Sequence, residues 1–165
     1  VVKFKIILNI LGKLLVGESF FLFLSLIVSL IYGESDSLAF LKAGLITLVV
    51  GSLSYLTSKG VKKDLGKREG YIIVSLVWVV FSIFGCLPYL FSGAIPNVTN
   101  AFFETMSGFT TTGSSILNNI EELPHGILFW RSLTQWMGGM GIIVMFLAIL
   151  PTLGIGGREL FVAEV

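Results

Sequence analysis

Residues 107–115 read Ser-Gly-Phe-Thr-Thr-Thr-Gly-Ser-Ser. The run carries no charge, and its only strong ligand atoms are oxygens, from hydroxyls and from an unbroken row of backbone carbonyls. Such a row can strip water from a cation by replacing its hydration shell. Thr110, Thr111, Thr112 and Gly113 form the candidate ion-binding segment. β-branched threonines prefer extended backbone, and glycine accepts the positive φ that turns a carbonyl about. Taken alone, Thr-Thr-Thr-Gly serves equally well as a polar turn between helices. The surrounding elements decide between the two.

Those elements are apolar. Charged residues make up 13% of the 165 and the mean hydropathy is +0.94, about half the charge of a soluble domain. A polytopic membrane chain follows, with the lipid bilayer as its surroundings. The net charge of +1 gives no footprint for nucleic acid. One cysteine, Cys86, excludes an intrachain disulfide and reads as apolar filler. His125, the single histidine, follows Pro124 at a helix start and reads as interfacial. No small-residue cleavage site follows the first apolar run, which is expected to be a retained helix.

Four segments approach the roughly 20 residues needed to cross a bilayer: about 11–32, 38–56, 71–91 and 126–150. Lys13 and Glu18 fall in the first turns of the first, placed either to pair near the interface or to face protein. Lys3, Lys5 and Lys13, then Lys59, Lys62, Lys63, Lys67 and Arg68, and finally Arg158 flank the helices on one side. Glu34, Asp36, Glu104, Glu121 and Glu122 lie on the other. The positive-inside rule puts both termini and the 57–70 loop in the cytoplasm.

The stretch from Ser92 to Pro124 is too long for a hairpin and too apolar for an ordinary loop. Within it, residues 97–109 read as a short helix capped by Asn97, Thr99 or Asn100. A segment of that length is re-entrant or interfacial. Its C-terminal end would favour a cation. The chain is therefore expected to be all-α and integral to the membrane. Residues 1–69 form an N-terminal transmembrane helix pair with a basic loop, and residues 70–165 form one helix–pore-helix–filter–helix unit.

Arg131, Gln135, Gly138 and Ile142 share one face of the last helix. An arginine at membrane depth calls for a partner. Glu104 on the pore helix is the best placed, the alternative being that Arg131 snorkels to headgroups. Gly138, Gly139 and Gly141 permit close helix approach, or else serve as a gating hinge.

From Arg68 onward the chain resembles the potassium-transporter superfamily of bacterial Trk and Ktr translocating subunits and plant HKT proteins. The matching text is "REGY", "GCLPYLFSG", "AFFETMSGFTTTGSS", "LPHGILFWRSLTQWMGGMGIIVMFLAILP" and "GIGGRELFVAE". It is most similar to the Trk type, whose extra N-terminal helix pair resembles residues before Arg68. The resemblance implies a pore of four such units on one chain, with Gly113 as the key filter glycine and potassium at the carbonyls of Thr111 and Thr112. Sodium is a second candidate ion, and no cofactor is implied.

The partners it implies are the remaining pore units or other copies, a second copy forming a homodimer, and a cytoplasmic nucleotide-binding regulatory subunit. The location it implies is the plasma or inner membrane, crossed several times. Only one unit is present before Val165, so the expectation is a chain truncated before further units. The alternatives are a non-conducting membrane fragment and a single unit that tetramerises. No HExxH, GxSxG, carboxylate cluster or phosphate-cradling loop supports an enzyme.

Overall fold

A computed structural model describes residues 4–58 and 67–149. Lys3, Lys59, Lys62, Lys63 and Arg158 lie outside the described residues. Among the described residues every regular element is a helix, and none is a β-strand. α1 (Phe4–Tyr32) and α2 (Ser37–Thr57) form an antiparallel hairpin. α3 (Lys67–Gly85), α4 (Leu87–Ser92), α5 (Val98–Phe109) and α6 (His125–Ile149) make the second part, with a 3-10 turn at Ile120–Glu122 before α6.

Three described stretches are long and apolar enough to cross a membrane: Phe4–Tyr32, Ser37–Thr57 and Gly70–Ser92. α6, with 25 residues, rises about 37 Å and is also long enough. α5 has 12 residues and rises only about 18 Å. It cannot span.

The α1–α2 pair closes where two glycines face each other. A Cβ on Gly12 would lie 2.8 Å from Gly51 O, and one on Gly51 would lie 3.0 Å from Gly12 O. Close helix approach through small residues is the usual solution where lipid supplies no hydrophobic drive. α1 begins by Phe4, seven residues before its expected start. Glu18 therefore sits at mid-helix, not in the first turns. It does not pair with Lys13, whose Nζ lies 5.3 Å from the Tyr55 ring centroid.

The expected continuous helix over 71–91 is broken at Cys86, between α3 and α4. Pro88 has no N–H and crowds the carbonyl four residues before it, which ends an α-helix. The broken backbone is satisfied from another element: Trp130 Nε1 donates to Gly85 O at 2.9 Å. Trp130 is fully buried, alongside Tyr89, Phe109 and Ile127. The core thus gathers around the helix break, and α5 is packed onto it.

Candidate functional site

α5 starts at a cap. The Asn97 side chain accepts from Asn100 N at 3.2 Å, which selects Asn97 among the three expected caps. Ala101, Glu104, Thr105, Ser107 and Phe109 are its buried residues. Two glycines set it against α6. A Cβ on Gly108 would lie 2.5 Å from Thr134 Oγ1, and one on Gly138 would fall on the Phe109 backbone. A Cβ on Gly141 would lie 3.3 Å from the Trp78 ring, whereas one on Gly139 would meet no described residue within 4 Å. Among the described residues Gly139 makes no close approach.

The end of α5 departs from the extended threonine run. Thr111 N–H donates to Gly108 O at 2.9 Å, and Thr112 N–H donates to Ser107 O at 3.0 Å. Together these bonds form a Schellman turn, with Thr111 in its left-handed position at φ +56°. The same two bonds close α1, around Gly33 at φ +67°. A β-branched residue in that conformation costs about 1–2 kcal/mol relative to glycine.

Local hydroxyl bonds hold it. Thr111 Oγ1 donates to Thr110 O at 2.7 Å, Thr110 Oγ1 donates to Met106 O at 2.8 Å, and Thr112 Oγ1 lies 2.8 Å from Thr110 Oγ1. Thr110 and Thr111 therefore finish the helix, and irregular backbone begins at Thr112. Gly113 has φ +75°, in the region only glycine enters freely. Residues 111–116 are exposed.

The segment after Gly113 is tied back to α5. Ser107 Oγ donates to Ser114 O at 2.6 Å. Glu104, with 2% of its side chain exposed, accepts three donors. Ser115 Oγ lies 3.0 Å from both its oxygens, Ile116 N is 3.0 Å from Oε2, and Arg131 Nε is 2.8 Å from Oε1. The structure thus brings Glu104 and Arg131 together, and adds two donors that charge counting on the sequence does not reveal. Ser115 was the available signal: a hydroxyl just past the glycine, opposite a buried acid. Gln135 stands on the same face of α6, its Nε2 3.7 Å from where a Cβ on Gly113 would lie.

At the C-terminal end of α1, the helix pair is stapled to the start of α6. His125 Nδ1 lies 2.7 Å from Glu34 Oε1, and its ring stacks on Tyr32 at 4.0 Å. Gly126 N donates to Glu34 Oε2 at 3.4 Å. Burial works against ionisation of Glu34. The hydrogen bonds from the His125 side chain and from the Gly126 and His125 backbone outweigh it and hold the carboxyl below its ordinary value. Among the described residues, no group of three His, Cys, Asp or Glu is placed to hold a metal.

The family described as TrkH, cation transport protein, matches residues 36–165. The Trk system potassium uptake proteins TrkH of Salmonella typhimurium and of Escherichia coli are each 44% identical over 163 residues, covering 98% of this chain and 34% of theirs. The crystal structure of the potassium transporter TrkH from Vibrio parahaemolyticus matches with a TM-score of 0.86 at 41% identity, over 94% of this chain and 33% of that one. The chain spans about a third of the length of these relatives. With the family model covering most of its length and such identity throughout, the chain belongs to the TrkH family of cation transport proteins.

Proposed function

We propose that this chain supplies one side of the ion pathway in the translocating subunit of a potassium uptake system. The observation that carries the reading is the irregular segment at 112–116. It is exposed, uncharged and rich in oxygen, it turns at Gly113 with φ +75°, and a buried acid holds it at one end. Non-helical backbone at membrane depth is stable only in protein or against a watery cavity. A row of carbonyls fixed from behind suits an ion that must lose its water.

In this account the carbonyls of Thr110, Thr111, Thr112 and Gly113 form one side of a ring, with potassium held at Thr111 and Thr112. The C-terminal end of α5 adds a partial negative charge. The remaining sides come from further pore units. The complete transporter is a dimer working with a cytoplasmic nucleotide-binding subunit, in the plasma or inner membrane. The potassium uptake proteins and potassium transporter to which the chain is similar support potassium as the ion.

Orientation follows from charge: 33–37 and 92–124 face outward, and 57–70 face the cytoplasm. Cysteine at the exposed positions Ser35 and Asn118 should react with an impermeant thiol reagent from outside, and cysteine at exposed Thr57 only after permeabilisation. Tracer uptake by vesicles containing the complete transporter tests the function itself. Uptake that does not depend on potassium would contradict it.

A further inference from the structure

We propose that Glu18 is a proton-binding site inside the membrane-spanning part of the protein, and that its proton keeps the seat of α5 closed. Glu18 is the midpoint of α1, with fourteen residues of helix on either side. It is 1% exposed, and among the described residues neither carboxylate oxygen has a hydrogen-bond partner. Its Oε1 lies 3.1 Å from where a Cβ on Gly85 would stand. The same point is 2.9 Å from Thr105 Cγ2 and 3.0 Å from the Phe109 ring. The N-terminal helix pair, the end of α3 and the pore helix therefore meet at one carboxyl group.

A lone carboxylate in such a place is costly. A proton removes the charge without any other group having to move. The surroundings offer little else. On the α3–α4 side the Cys86 thiol is the titratable group within electrostatic reach. α5 presents the Thr105 methyl and the Phe109 ring. On α2, Lys42 is exposed; on α6, Arg131 is engaged by Glu104 and His125 by Glu34. Lys13, on the same helix, is turned to Tyr55. When the proton passes to water, the carboxylate left behind must draw water into the junction. That loosens the contact at Gly85 which Thr105 and Phe109 share.

The binding part of this inference stands apart from the transport reading, while its effect on flux rests on that reading. Infrared difference spectroscopy on the complete transporter, titrated from acid to alkaline pH in H2O and D2O, separates the two. The wild type should show the C=O stretch of a protonated carboxylic acid at neutral pH, shifted in D2O and lost at alkaline pH. Glu18→Gln should lack that band and Glu18→Asp should keep it.

Wild-type flux should fall several-fold as the band disappears, and Glu18→Gln flux should not. Identical acid bands in the wild type and Glu18→Gln would overturn the site, and an alkaline loss of flux that persists in Glu18→Gln would overturn the coupling to α5. If Glu18→Gln does not assemble, carbon-isotope labelling of glutamate decides. The band must shift with the label in the wild type and not in Glu18→Asp; the same shift in both overturns the site. Absence of flux at every pH, with the bands as expected, counts against the transport reading alone.

Discussion

Arg131 Nε meets Glu104 Oε1 at 2.8 Å across the α5–α6 interface, and the same carboxylate holds Ser115 and the backbone N–H of Ile116. The two partners are not equally placed. Glu104 is 2% exposed and Arg131 26% exposed at the side chain. Removing Arg131 leaves a buried acid short of its charged donor, at a cost of about 3 kcal/mol. In Glu104→Gln the amide oxygen can still accept, and Arg131 can turn outward, for about 1–2 kcal/mol. Thermal unfolding of the complete transporter in detergent should rank Arg131→Met below Glu104→Gln. The double variant should lose less than the sum of the two. Additive losses would mean that Arg131 acts alone at the headgroups.

The same geometry decides a charge swap. An arginine at 104 has no acceptor for Ser115 or Ile116, so exchanging the two charges should not restore stability. Recovery to near wild type would show that charge alone matters and that the segment is held elsewhere.

Thr111 stands where glycine is the usual choice, at φ +56°. Thr111→Gly relieves about 1–2 kcal/mol of strain and offsets it with the extra backbone freedom of glycine in the unfolded chain, about 0.5–1 kcal/mol, and with the lost hydroxyl bond to Thr110 O, about 0.5–1 kcal/mol. Stability should change by less than about 1 kcal/mol in that variant. Thr111→Val keeps the strain and loses the hydrogen bond to Thr110 O, so it should lose about 1 kcal/mol. Melting temperatures in which the glycine variant is the less stable of the two would contradict the turn described.

Glu34 ties the end of α1 to the start of α6, and its carboxyl is held below its ordinary value. A depressed folded value means that the unfolded chain binds the proton more readily. The contribution is therefore fully present above the unfolded value of about 4.3, and it fades as pH falls through the folded value below that. His125 is half exposed, which limits the pair to under about 1 kcal/mol. Glu34→Gln should lower the melting temperature slightly at neutral pH, with the difference vanishing in strong acid. A difference that grows on acidification would reverse the sign argued here.

Much of this arrangement was legible in the sequence for physical reasons. Long apolar runs have few alternatives to spanning helices, and a lone arginine among them has few partners other than the one nearby acid. Gly113 was readable because a positive φ leaves so little choice of residue. Thr111 was not, since nothing in a threonine announces a left-handed turn, and only the helix end built around it requires one. Pro88 was the visible signal for the break at Cys86, lost in the apolar run that surrounds it. The depth of Glu18 was misjudged because Lys3, Lys5 and Lys13 suggested a later helix start. Once α1 begins by Phe4, the same glutamate lies at mid-helix.

The central claim is that Gly113 shapes an ion-selective segment. Space is not the constraint there, because a Cβ on Gly113 would approach nothing closer than Gln135 Nε2, at 3.7 Å. The backbone is. A serine must bear about 1–2 kcal/mol of strain at φ +75°, or relax and turn a carbonyl away. The direct test is a paired measurement of potassium and sodium flux through the complete transporter, at matched expression, for the wild type, Gly113→Ser, Thr112→Val and Gly139→Ala. The last is a control that meets no described residue within 4 Å. Gly113→Ser should reduce potassium flux and lower the potassium-to-sodium ratio. Thr112→Val should do so less, and Gly139→Ala should leave the ratio unchanged. A wild-type ratio in Gly113→Ser would contradict the account and reduce the threonine–glycine run to a polar turn.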